Sequence, residues 1–275
     1  MNHQLVVKIQ LYLALILAFN ISASLCFAQQ WRQDRYDPRW LPITNAEITR
    51  QTLSNANDAV ALYRLYETAR YQHKQQPYFS ALQKLKREQP QNGVVLATYC
   101  AVLMDSNTLY GFGQFKFKVD PKEGTIDSIK SNLVIAKRLS PKLWIIPFVE
   151  ADVAGFSNGN VIEGAEKTIL LSRKAIELAP TLSYPQMKLG YWLVSDAMQK
   201  KADRAASVPF YKKAQTLLPV NSDASFLLLN VYRFYAPNPA EARKVGQQLI
   251  ATIPPQARSS KETKQRLIKQ GIKPP

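Results

Sequence analysis

The sequence predicts an all-α protein built from helix pairs stacked one on the next. Three observations predict it. Apolar residues recur at three- and four-residue spacings along most of the 275-residue chain, the pattern of amphipathic helices. Prolines at positions 90, 141, 180, 219 and 254 punctuate those helices. Five residues before the first four of them stands an apolar side chain: Leu85, Ala136, Ala175 and Ala214. A proline ends a helix because it disfavours helical geometry in the residue before it and lacks the N–H that a helix interior needs. The alanines let neighbouring helices approach. One amphipathic pair cannot bury its own apolar faces, so such units stack into an array.

Residues 1–28 read as a secretory signal. Lys8 supplies a short positive region, Leu11 to Phe19 an apolar run, and Cys26-Phe27-Ala28 small residues at cleavage spacing. Cleavage after Ala28 places the protein outside the cytoplasm, periplasmic or secreted. The competing reading is an uncleaved membrane anchor; the apolar run is short for a span of about 20 residues. The mature chain then holds one cysteine, Cys100, which forms no internal disulfide and lies in the apolar run VVLATYCAVLM as a buried thiol.

Residues 29–43 form an extended lead-in, mixing Trp31, Tyr36 and Trp40 with arginine and proline and showing no helical period. The repeat domain spans 44–255. Its first helix pattern starts at Thr44. Asp58 caps the next helix, with Val60, Leu62, Leu65, Tyr66 and Ala69 on its apolar side. Pro77 opens a helix carrying Phe79, Leu82 and Leu85, and further helices follow at about 94–104, 125–139 and 144–154. The stretch 105–124 breaks the pattern: Phe115, Phe117 and Val119 alternate with polar residues in a strand-like period of two. It is an irregular insertion, read either as a functional loop or as a plug on the end of a helical layer. A smaller interruption covers 155–164. Helices then run at about 163–178, 182–199, 203–218, 222–235 and 239–252, with Pro209 kinking the third of these or delaying its start. The tail 256–275 is basic and predicted to be mobile, with only Leu267 and Ile268 as packing contacts.

Ser172 to Ala197 carries the clearest unit: Ala175, Pro180, then Leu189-Gly190, followed by Tyr211, Ala214 and Pro219. This pattern resembles the tetratricopeptide repeat family, whose unit is a helix pair of about 34 residues. The resemblance covers roughly 59–254. It implies a right-handed α-solenoid of stacked antiparallel helix pairs. Tyr99-Cys100 and Glu150-Ala151 stand where the family pattern has Leu-Gly. The resemblance also implies that the first helix of each pair lines a concave groove for an extended peptide or a partner helix. Projected onto this chain, that face presents Phe148 and Asp152, then Tyr184, Met187, Lys188 and Tyr191, then Phe226, Asn230 and Arg233. Tyr184, Lys188, Tyr191, Asn230 and Arg233 are the expected partner-binding residues: aromatics for contact area, Asn for a peptide backbone, Lys and Arg for a carboxylate. The competing assignment for the aromatics is inter-repeat core.

No catalytic, cofactor-binding or metal-binding set emerges. The mature chain has a single histidine, His73, in a basic surface run, and no His/Cys cluster with ligand spacing. There is no GxSxG, Walker loop or HExxH. Glu163 and Glu166 share a helix face but read as a solvated stripe. The chain is strongly basic, with 36 Lys and Arg against 20 Asp and Glu. Without a nucleic-acid-binding motif, that excess points to an anionic envelope polymer, a lipid surface or an acidic protein segment. The sequence therefore predicts a non-catalytic, exported adaptor or scaffold of the cell envelope. The alternative is an accessory protein that holds an anionic envelope polymer or membrane surface through its basic tail and its insertion.

Overall fold

The structure, a computed structural model, describes residues 43–72, 74–107, 122, 124–157, 161–218, 222–252 and 268. They belong to the compact unit Ile43–Pro275. The proposed signal, the lead-in before Ile43, nearly all of the 105–124 insertion, His73 and nearly all of the basic tail lie outside the described residues. Within them the protein is all-helical, with α1 Asn45–Ser54, α2 Ala59–Tyr71, α3 Gln75–Glu88, α4 Gly93–Asn107, α5 Ile126–Leu139, α6 Ile145–Ser157, α7 Val161–Leu178, α8 Ser183–Gln199, α9 Val208–Leu217, α10 Ser222–Asn230 and α11 Pro239–Thr252. A 3₁₀ turn, Arg204–Ser207, precedes α9, and a π-helical segment, Val231–Tyr235, follows α10.

Local chemistry sets these boundaries. Thr44, Asp58 and Thr125 accept backbone N–H groups of the first turns of α1, α2 and α5, satisfying donors a helix start leaves orphaned. Pro209 falls at the beginning of α9, so this helix starts late and the chain enters it through the 3₁₀ turn. Pro77 sits in the first turn of α3, where a missing N–H costs nothing. The interruption expected at 155–164 is narrower: α6 continues through Gly155 to Ser157, and α7 begins at Val161. The helix expected over 222–235 changes character at Val231. Pro237 has no N–H to offer the Arg233 carbonyl. One residue earlier, the Ala236 N–H makes a wider bond to the Val231 carbonyl at 2.8 Å.

Packing divides the helices into two sets. The even-numbered helices pack on one another: α2 on α4, α4 on α6, and α8 on α10, with α6 and α8 joined through Phe148 and Tyr184. The odd-numbered helices α3, α5, α7, α9 and α11 pack against the even ones beside them in sequence. Burial follows this division. From Val95 to Met104 the side chains of α4 are all buried, and α6 buries Ile145, Ile146, Phe148, Val149 and Ala151. A helix apolar on all sides belongs in the interior. By contrast, α5 buries one stripe, Ile129, Leu133 and Ala136, and α9 buries Tyr211 and Ala214. The alanines before the prolines, Ala136, Ala175 and Ala214, are fully buried. Gly190 makes the close approach its place in the pattern suggests: a Cβ there would stand 2.8 Å from Tyr211 Cε1. Cys100 is buried, and burial pushes its thiol up to about 12.

The outward faces of the odd-numbered helices carry a recurrent feature. From α3 onward each bears a consecutive basic pair: Lys86-Arg87, Lys137-Arg138, Arg173-Lys174, Lys212-Lys213 and Arg243-Lys244. Lys86 is half-buried over the Tyr99 ring, and the others are exposed.

Candidate functional site

The centre of the even-numbered set is a buried network of aromatic and charged side chains organised by α2. Tyr63, Tyr66, Glu67 and Arg70 stand at positions i, i+3, i+4 and i+7, so they project from one side of that helix. Tyr63 packs edge-on against Trp144 and Phe148 of the α6 region at centroid distances of 5.0 and 5.6 Å, and lies 6.2 Å from Tyr184 on α8. Tyr66 donates its hydroxyl to Asp105 Oδ2 on α4, and Tyr184 donates to Asp105 Oδ1 at 2.6 Å. Arg70 lies 3.4 Å from Asp105 and 2.9 Å from Asp223 on α10, and its guanidinium sits 4.9 Å above the Tyr184 ring. Glu67 accepts the Tyr184 backbone N–H at 3.1 Å. That last bond supplies what α8 lacks locally: Leu182 precedes this helix and provides no side-chain cap, so a carboxylate from α2 meets the positive end of the α8 dipole.

α2 thus touches α4, α6, α8 and α10. In a strictly stacked array each unit contacts only its neighbours. Here Glu67 and Tyr184 are 117 residues apart in sequence, and Arg70 and Asp223 are farther still.

Beneath the network lies a second buried pair. Lys188 donates to Asp152 Oδ2, and its ammonium lies 5.0 Å from the Phe148 ring and 5.6 Å from Tyr184. Both side chains are almost fully excluded from water. Burial raises the Asp152 carboxyl above its ordinary range, opposed by the Lys188 charge. Asp152 Oδ1 and the Tyr63 hydroxyl have no hydrogen-bond partner among the described residues. Burial, reinforced by the nearby Asp105 carboxylate, also holds the Tyr63 and Tyr66 phenols well above their ordinary value.

The five expected partner-binding residues therefore separate into two places. Tyr184 and Lys188 are buried in the network, where α2 and Asp152 engage them. Tyr191, half-exposed on α8, stands edge-on to Trp192 at 5.2 Å. Asn230 and Arg233 lie at the π-helical end of α10. Arg233 stacks over Phe234 at 5.3 Å, and Phe234 is 59% exposed. Asn230 Oδ1 and Arg233 Nη1 are shielded from water and hydrogen-bonded to nothing among the described residues. The 3₁₀ turn packs against this segment and places Arg204 4.9 Å above the Tyr235 ring, its Nε likewise without an acceptor. Burial, reinforced by Tyr191 and Tyr235, raises the phenol of the core residue Tyr211 above its ordinary value.

Sequence reasoning missed Tyr63, Glu67, Arg70, Asp105 and Asp223. Their only local signal is a charged residue interrupting the inward stripe of α2. The partners that explain it lie on other helices. Among the described residues no group of three or more His, Cys, Asp or Glu side chains is placed to hold a metal, and no helix is long and apolar enough to cross a membrane. No family model matches the chain, and no curated protein matches it.

Proposed function

We propose that the protein is an exported, non-catalytic adaptor of the cell envelope, a right-handed array of tetratricopeptide-like helix pairs that holds a protein or peptide partner. The observation that carries this reading is the set of unsatisfied groups at the π-helical end of α10. Arg233 Nη1 and Arg204 Nε lack acceptors, Asn230 Oδ1 lacks a donor, and Phe234 lies exposed beside them. Buried polar groups are normally hydrogen-bonded, and π-helical turns often occur at functional positions. A peptide seated on the exposed Phe234 ring would have to turn the shielded side chains outward, its backbone N–H then meeting Asn230 and its carboxylate the arginines. The central part of the same helical set already holds a helix, α2, by the same combination of aromatic contact and Arg–carboxylate pairing.

The test is capture of partners from the protein's own source at low and high salt, in parallel for residues 29–275 and for the same chain with Asn230→Ala and Arg233→Ala. A discrete protein held at high salt by the first and lost from the second supports the reading. Equal capture by both refutes the site.

A further inference from the structure

We propose that the outward faces of α5 and α7 form a docking surface for an anionic lipid membrane. This surface is separate from the partner site at α10, and it is not the tail or the insertion that the sequence alone would nominate. Both helices repeat one pattern. On α5, Val134 is followed three and four residues later by Lys137 and Arg138; on α7, Leu170 is followed at the same steps by Arg173 and Lys174. On a helix those steps stack the side chains on one face. Val134 is 69% exposed, Leu170 68% and Leu178, one turn beyond Lys174, 46%. So each helix offers a branched apolar side chain standing in water among cations.

The charges on this face are largely unspent. Arg138, Arg173 and Lys174 are exposed and have no carboxylate within ion-pair distance among the described residues. Lys137 is held by Glu150 at 2.6 Å, and Lys130 lies 4.0 Å from Asp127. Among the described side chains of α7 two further acids stand: Glu166 is held by Lys200 at 3.1 Å, and Glu177 is exposed. The basic pairs on α3, α9 and α11 extend the same sign of charge over the other odd-numbered helices. A soluble polyanion would engage the cations and leave Val134, Leu170 and Leu178 in water. An anionic bilayer surface satisfies both halves of the pattern: head groups pair with the cations, and the apolar side chains enter the interface.

The experiment is sedimentation of the full chain with vesicles of phosphatidylcholine and phosphatidylglycerol in equal parts, and with phosphatidylcholine alone. Two exposed-face variants accompany it: Arg138→Glu with Arg173→Glu and Lys174→Glu, and Val134→Ser with Leu170→Ser. Circular dichroism melts confirm that each is folded. The proposal expects binding to the anionic vesicles only. It expects roughly a hundredfold weaker binding for the charge variant, from a few-fold per cation, and about tenfold weaker binding for the serine variant. Three results would overturn it. The first is a wild-type chain that does not sediment with anionic vesicles. The second is wild-type binding by both variants, which would assign the membrane contact to another segment. The third is normal binding by the serine variant alone together with displacement of the protein by soluble polyphosphate, which would make the face a polyanion site.

Discussion

The α2 crossing and the π-helical end of α10 use the same side-chain types and treat them in opposite ways. At α2, tyrosines, arginine and carboxylates meet one another. Asp105 receives Tyr66, Tyr184 and Arg70, and Arg70 also reaches Asp223. At α10, Asn230, Arg233 and Arg204 stand beside Tyr235 and Phe234 with polar atoms unanswered. The difference is the presence of a helix. Where α2 lies across the even-numbered set, the chain supplies its own counter-charges; at the π-helical end of α10 the described residues supply no hydrogen-bond partner to these atoms. The surface that holds α2 does so with Tyr184 and the carboxylates of Asp105 and Asp223, which meet the arginine that α2 brings.

The largest expected effect comes from removing the cation that joins the set. Arg70→Ala leaves Asp105 and Asp223 buried without it and should cost about 3–5 kcal/mol, as breaking a buried pair does. Urea unfolding midpoints measure it, and a loss below about 1 kcal/mol would mean the pair behaves as a surface one. Next is a matched pair of tyrosines. Tyr66→Phe removes a hydrogen bond to a carboxylate and should cost about 1.5–3 kcal/mol, whereas Tyr63→Phe deletes an unpartnered hydroxyl and should be neutral or slightly stabilising. Equal effects would erase the distinction between satisfied and unsatisfied groups on which the comparison rests.

A smaller effect is read in pH. The Asp152 carboxyl is held above its ordinary value, so the folded protein keeps that proton more tightly than the unfolded chain. The stability this gives is full below about pH 4, the unfolded value, and is lost as pH rises through the folded value. Asp152→Asn should remove that decline. Unfolding midpoints measured from pH 4 upward should fall more steeply for wild type than for the variant, and parallel curves would contradict the assignment. Smallest in stability is the combination Asn230→Ala and Arg233→Ala, expected within about 0.5 kcal/mol of wild type. It sharpens the comparison because partner capture, not stability, should change.

The helices were legible in the sequence because their signals are local. Asp58 and Thr125 cap, Ala136, Ala175 and Ala214 mark close packing, and Pro90, Pro141 and Pro180 lie near helix boundaries. The buried Cys100 was legible from its apolar neighbours. The α2 crossing was not, because periodicity shows that a helix has a buried side but not what lies against it. Tyr66 belongs to the apolar stripe that periodicity marks, while its hydroxyl's partner, Asp105, sits at the far end of α4. For the same reason Tyr184 and Lys188 were grouped with Asn230 and Arg233: helical projection put them on one face, and only the placement of α2 separates them. The π segment was hidden too, since the pattern over 222–235 reads as one continuous α-helix.

Amide hydrogen exchange tests the central claim most directly, namely that α2 is an integral bridge across the even-numbered set. The account predicts that the amides of α2 exchange as slowly as those of α4 and α8, only through global unfolding, while the π-helical segment at 231–235 exchanges through local opening. Fast exchange across α2 with α4, α8 and α10 still protected would contradict it, and would mean that the face α2 covers is open to a partner.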